Sequence, residues 1–204
     1  MLEVAPGITF DEATHSYTLD GLPAPGVTSP LDMFYDFRFV KEVDLEKARD
    51  KGKKVHKTIE LFEAGTLDRK SLDPVLERHL HWWEKFKADF GFLPAGFEVF
   101  VASRKRRFCG QMDCHGILLP MDQRPEEELL LDVKTGVPYA PHSLQTAGYK
   151  IAAVEQGILG KDAKRASLYL DEEGYQIKWH TSPMDELAFL SALTIHHWRQ
   201  HGSH

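Results

Sequence analysis

The chain has 204 residues, 42 % of them apolar and 27 % charged, with a formal net charge of -6. That is enough chain for one full hydrophobic core, and the acidic balance excludes a generic basic nucleic-acid coat protein, though not an enzyme whose positive field comes from bound cations or a local basic patch. No apolar run approaches the roughly 20 residues that cross a bilayer, the opening "MLEVAPGITFDEATH" lacks the basic and long apolar segments of a signal peptide, and two cysteines, Cys109 and Cys114, are too few for a disulfide scaffold, so a reduced, cytoplasmic protein without membrane attachment is expected.

In chain order, "HSYTLDGLPAPGVTS" predicts a hairpin turning at Asp20-Gly21, after which Pro23, Pro25 and Gly26 break the pattern. Residues 44–64 read as a helix with Val55, Ile59 and Phe62 on its apolar side and Gly65 as a stop. A second helix runs through "SLDPVLERHLHWWEKFKADFG", with Ser71 as its cap, Leu72, Leu76, Leu80, Trp83 and Phe86 as its stripe and Gly91 at its end. The period then changes. "AGFEVFVAS" and "RFCGQMDCHGILL" read as strands joined by the turn "RKRR", and "ELLLDVK" as a third strand buried on both faces. A helix over "HSLQTAGYKIAAVEQG" turns Leu144, Ile151 and Val154 inward. Two further strands flank residues 171–174, and "PMDELAFLSALTIHHWRQ" closes the chain as a helix. The expected architecture is an α/β protein of the α+β kind, a mixed sheet flanked by helices. It forms one domain over 1–204, with a hairpin and lead-in over 1–43, a core over 44–171 and a closing strand and helix over 172–204.

The charges inside apolar strands carry the chemical information. Asp132 and Lys134 lie two apart and so project from one face of their strand. A buried carboxylate needs compensation, and a plain Asp132–Lys134 ion pair is the simplest form of it. Asp113 interrupts the preceding strand. If the two strands pair, both acids reach one end of the sheet, where their repulsion is relieved by a hard divalent cation. Lys134 can then orient water and offset charge on a phosphate. Glu98 is either an outward strand residue or a further acid of the site. Gly52, His56 and Glu60 share a helix face, as do Gln145 and Tyr149 on the later helix. The lysines at 51, 53, 54 and 57 and the run Arg104, Lys105, Arg106, Arg107 read as a solvated helix face and a charged turn, or as phosphate contacts.

Four short motifs occur in one order: "GKKVH", "GQMD", "DVK" and "QTAGY". Together they resemble the PD-(D/E)XK nuclease superfamily, in particular its RecB-like branch and the phage-type exonucleases near it, over roughly residues 44–171. Met112 stands at the nominal proline position. The resemblance implies a restriction-endonuclease-like αβββαβ core, with flanking helices and the N-terminal hairpin outside it. It implies that His56, Asp113, Asp132 and the backbone carbonyl of Val133 bind Mg²⁺, for which Mn²⁺ can substitute, with Glu98 as a possible further ligand. Lys134 would be the catalytic lysine, acting with Asp113, Asp132, Gln145 and Tyr149. Lys53, Lys54, Lys57, the 104–107 run and Thr135 would touch DNA. The four cysteines of the iron–sulfur members are absent, so no cluster is expected.

The implied activity is metal-dependent hydrolysis of DNA phosphodiester bonds, most simply by an exonuclease of recombination, repair or phage DNA processing. A homo-oligomer and a single-strand annealing protein are the partners such an enzyme could have. The competing readings are a catalytically inactive nuclease fold retained for binding DNA or protein, and an unrelated hydrolase using the carboxylates as acid and base.

Overall fold

The computed structural model describes residues 2–35 and 41–201. Among these residues, two sheets and four α-helices make up a mixed α/β architecture. The first sheet is antiparallel, with β1 (Leu2–Ala5), β2 (Ile8–Asp11), β3 (Ser16–Leu19) and β4 (Leu22–Ala24) in sequential order. The expected hairpin is its β3–β4 half. Leu19 pairs with Leu22, and Asp20 and Gly21 both take positive φ, as a tight primed turn requires. Strands β1 and β2 were not anticipated, although Pro6-Gly7 is a turn signal and "ITFD" alternates apolar and polar residues as a strand does. Ile8, Tyr17, Leu19 and Ala24 bury the inner face of this sheet against Ala102 and Cys109 of the second.

The second sheet has the order β5-β6-β7-β8-β9, from β5 (Phe92–Ser103), β6 (Phe108–Leu118), β7 (Glu127–Lys134), β8 (Lys164–Leu170) and β9 (Tyr175–Trp179). Its pairs are antiparallel except β7–β8, which is parallel and crosses over through α3 (Pro141–Glu155). Helices α1 (Glu42–Glu63) and α2 (Pro74–Phe90) cover one face. Helices α3 and α4 (Met184–His201) cover the other. Strand β7 is buried on both faces as expected. Leu129, Leu131 and Val133 pack with Val55, Ile59, Leu80 and Trp83, whereas Leu130 packs with Ala147, Ala152 and Phe189.

Two helix details differ from the sequence reading. Asp73, not Ser71, caps α2, accepting a bond from the Val75 N–H at 2.8 Å. Pro74 forces its predecessor out of the helical region, so the helix cannot begin at Leu72, and Ser71 falls in a short 3₁₀ turn. In α3 the buried positions are Pro141, Gln145, Thr146, Ala147, Gly148, Tyr149, Ala152 and Ala153, and the predicted inward residues Leu144, Ile151 and Val154 pack half-buried against the same core. The helix is sandwiched between the sheet and α4, so small residues as well as the apolar stripe mark its two buried sides. A Cβ on Gly148 would come within 2.7 Å of the Phe189 ring of α4. Gly91 ends α2 at φ +60°, as expected.

Among the described residues, no helix is long and apolar enough to cross a membrane.

Candidate active site

The site lies where the sheet departs from regularity. The β6–β7 ladder ends at Cys114–Leu131. The Val133 N–H is instead taken by the Asp113 carboxylate at 2.8 Å. Met112 and Cys114, two residues apart, belong to cores on opposite faces of the sheet, so β6 turns over across Asp113. In β5 the register runs from Phe97–Cys114 to Val99–Met112, which leaves Glu98 across from Asp113. Glu98 has φ +50°, a conformation that strains a non-glycine residue and recurs at functional sites. No period in the sequence signals such an irregularity.

Helix α1 brings His56 against this break, held down by its buried neighbours Val55 and Ile59. The His56 Nε2–H donates to the Val133 carbonyl at 2.9 Å, and Nδ1 lies 3.3 Å from Glu98 Oε1. Nε2 is also 3.8 Å from Asp113 Oδ2. Burial pushes the imidazole pKa down, but Asp113 and Glu98 outweigh it and lift it to about 9. One ligand atom from each of His56, Glu98 and Asp113 falls within 4.8 Å of the others. Two carboxylates and an imidazole, with a carbonyl beside them, suit a divalent cation of the Mg²⁺ or Mn²⁺ type, the nitrogen favouring the transition metal. Such a cation would take the place of the proton that the acids now hold on His56.

Asp132 and Lys134 form the adjoining half. Lys134 Nζ donates to Asp132 Oδ1 at 2.8 Å, and the Asp132 side chain is fully buried. The ion pair expected as the simplest reading is therefore present, next to the acid cluster rather than in place of it. Burial raises the Asp132 pKa against the pull of Lys134, and Asp113 adds to the rise. Burial works to lower the Lys134 pKa, yet Asp132 and Asp113 carry it upward, so the lysine is an ammonium.

A buried chain of polar groups behind Asp132 was missed in the sequence. Ser167, paired with Asp132 across the parallel ladder, donates to Oδ2 at 3.3 Å, and its Oγ is 2.9 Å from His180 Nε2. His142 Nδ1 meets the Tyr169 hydroxyl at 2.8 Å, and Tyr169 pairs with Lys134. Burial pushes the pKa of both histidines down to about 4, with Lys134 assisting at His142 and Arg165 at His180. The available signal was a serine inside the apolar strand "ASLYL".

Gln145 and Tyr149 are both buried, with Gln145 Nε2 donating to the Tyr149 hydroxyl at 3.2 Å. Burial first, then Asp113 and Asp132, raises the tyrosine pKa well above its usual value. The pair lines a hollow of about 220 Å³ together with Glu98, Asp113, Gly110, Gln111 and Tyr17. The motif glycine Gly110 is explained here: a Cβ there would lie 2.7 Å from the Tyr149 ring and 2.8 Å from Val27. A second, open cleft of about 680 Å³ shares Glu98 and Gln111 with it and is walled by Lys53, His56, Lys57 and Glu60 of α1.

The basic candidates separate. Lys53 and Lys57 face this cleft, with Lys57 Nζ 2.8 Å from Glu60. Lys54 lines a different hollow beside the start of α2. Thr135 sits at the end of β7 against α1, where a Cβ on Gly52 would be 3.6 Å from its Oγ1. The 104–107 turn is six residues along β6 from Asp113, roughly 20 Å away at strand rise. Arg104 there is committed to Asp20 and to the Pro6 carbonyl, tying the two sheets together. Lys105, Arg106 and Arg107 border a separate groove with His196 and His197.

No family model matches the chain, and no curated protein matches it. Among solved structures it is similar to that of SSO0001, at 16 % sequence identity and a TM-score of 0.35 over 61 % of this chain. The chain spans 58 % of the length of that protein.

Proposed function

We propose that the protein is a metal-dependent deoxyribonuclease of the PD-(D/E)XK kind. The observation that carries the reading is the meeting, at a break in the sheet, of His56, Glu98 and Asp113 with the buried Asp132–Lys134 pair. These residues come from α1, β5, β6 and β7, and α3 and β8 follow with β8 parallel to β7. That order supports a restriction-endonuclease-like core to which the first sheet, α2 and α4 are additions.

His56, Glu98, Asp113 and Asp132, with the Val133 carbonyl, are the groups that would hold the cation. When bound, it supplies Lewis acidity toward the scissile phosphate and toward water. The remaining work falls to the chain. The ammonium of Lys134 offsets the charge that develops on the phosphate oxygens and orients the attacking water. Ser167, fixed by His180, holds Asp132 Oδ2, and Oδ1, the acceptor of Lys134, is the oxygen that Asp132 would offer to the cation. Gln145 and Tyr149 shape the floor of the small hollow. Lys53 and Lys57 draw the phosphate backbone to the cleft.

The test compares end-labelled linear and closed circular DNA, single- and double-stranded, with Mg²⁺ or with a chelator. The reading expects Mg²⁺-dependent loss of DNA, confined to linear substrates for an exonuclease. Binding of DNA without Mg²⁺-dependent cleavage contradicts it and favours a retained binding module.

A further inference from the structure

Across from the lysines of α1, the 680 Å³ cleft is walled by the first sheet, which presents two rings, Phe10 and His15, beside the acids Asp11 and Glu12. Phe10 of β2 and His15 at the β2–β3 turn both line it, and Phe100 of β5 lies behind them. The rings form one cluster. Phe10 and His15 meet edge to face at 5.2 Å, Phe10 and Phe100 are 5.6 Å apart, and Tyr17 lies 4.8 Å from Phe10. Tyr17 is a core residue, but His15 is exposed and Phe10 only partly covered. The two therefore carry an aromatic surface out of the core and into the cleft.

The backbone holds His15 there at a cost. It has φ +49°, which is uncommon outside glycine. The turn that imposes this conformation is fastened by the Asp11 carboxylate, which accepts the N–H groups of Ala13 and Thr14 at 3.0 and 3.2 Å. Of the two acids on this wall, Asp11 is thereby occupied with its own turn, as Glu60 on the far wall is with Lys57, and Glu12 is exposed. His15 also borders the small hollow beside Glu98, Asp113 and Tyr149, so the ring is common to both cavities.

We propose that Phe10 and His15 are a stacking shelf for the unpaired bases of a single nucleic-acid strand, whose phosphates follow Lys53 and Lys57 across the cleft. The proposal rests on the nuclease reading above and names the form of substrate that reaches its site. Aromatic faces on one wall and ammonium groups on the other match the two sides of a single strand, and base–aromatic stacking tolerates any base. In a duplex the base faces are covered by their neighbours.

The test uses the wild-type protein with Ca²⁺ in place of Mg²⁺, and single-stranded oligonucleotides carrying a fluorescent aminopurine base at successive positions from one end. One position should be quenched on binding, and the quench should disappear in His15→Ala and weaken in Phe10→Leu. His15→Ala should lower single-strand affinity roughly 5- to 100-fold. Replacing the base at the quenched position by an abasic residue should lower wild-type affinity by a similar factor and cost His15→Ala nothing further. If both folded variants bind within about twofold of wild type, or no position is quenched, the shelf is overturned. Mg²⁺-dependent cleavage by the wild type in that case leaves the nuclease reading standing. If the wild type neither binds nor cuts any nucleic acid, both fall.

Discussion

Glu98 holds the clearest single-residue record of a demand other than stability. A glutamate at φ +50° within a strand is strained on the order of 1–3 kcal/mol, and its carboxylate is turned toward His56. Glu98→Gly removes the strain and the ligand together. We expect thermal unfolding at or above the wild-type temperature with weakened divalent-cation binding, checked by calorimetry and a metal titration on the same samples. A fall of several degrees would make Glu98 a structural residue. The candidate residues were legible by type: charges at Asp113, Asp132 and Lys134 stand out inside apolar strands. It left Glu98 undecided, because a backbone angle has no signature in an ordinary "FEVF" run. It concealed Ser167, His142 and His180, which are common residues given meaning only by the parallel pairing of β7 with β8.

At the level of elements, the motifs interlock by shape. The "GQMD" strand and the "QTAGY" helix meet where the Tyr149 ring rests on Gly110. Gly110→Ala should displace that ring, destabilising the fold by about 1–3 kcal/mol and lowering activity. Gly174→Ala, where nothing lies within 4 Å of the new Cβ, should leave both unchanged; urea denaturation of the two variants with matched assays decides it. The second sheet was readable because β5, β6 and β7 are long and punctuated by "RKRR" and by polar turns. The first sheet was only half readable. β3 and β4 are announced by Asp20-Gly21, whereas the apolar residues of β1 and β2 find their partners only in Ala102 and Cys109 far along the chain. Helix α3 was read only in part: Leu144, Ile151 and Val154 do pack on the core, but a helix buried on two sides also uses Ala and Gly, which an apolar stripe does not reveal.

For the whole molecule, buried histidines set the acid limit of stability. His142 and His180 titrate near 4 in the fold, and burial also lowers His79. An unfolded histidine titrates near about 6.5, so the unfolded chain binds more protons between these values and stability falls as pH falls through that window. Asp132, raised by burial, opposes the trend. His142 and His180 each contribute to that loss, lessened by solvent screening where the rings are partly open. Denaturation at about pH 7 and about pH 4.5 should show it, with a smaller difference in His180→Gln. The account as a whole stands on the division of labour between the acid cluster and the lysine. Its most direct test is paired Mn²⁺ binding, followed by electron paramagnetic resonance, and DNA cleavage in wild type, Asp113→Asn and Lys134→Ala. The account predicts that Asp113→Asn loses both, while Lys134→Ala retains Mn²⁺ and cuts at least about 100-fold more slowly. Unchanged Mn²⁺ binding in Asp113→Asn, or cutting at the wild-type rate by Lys134→Ala, would contradict it.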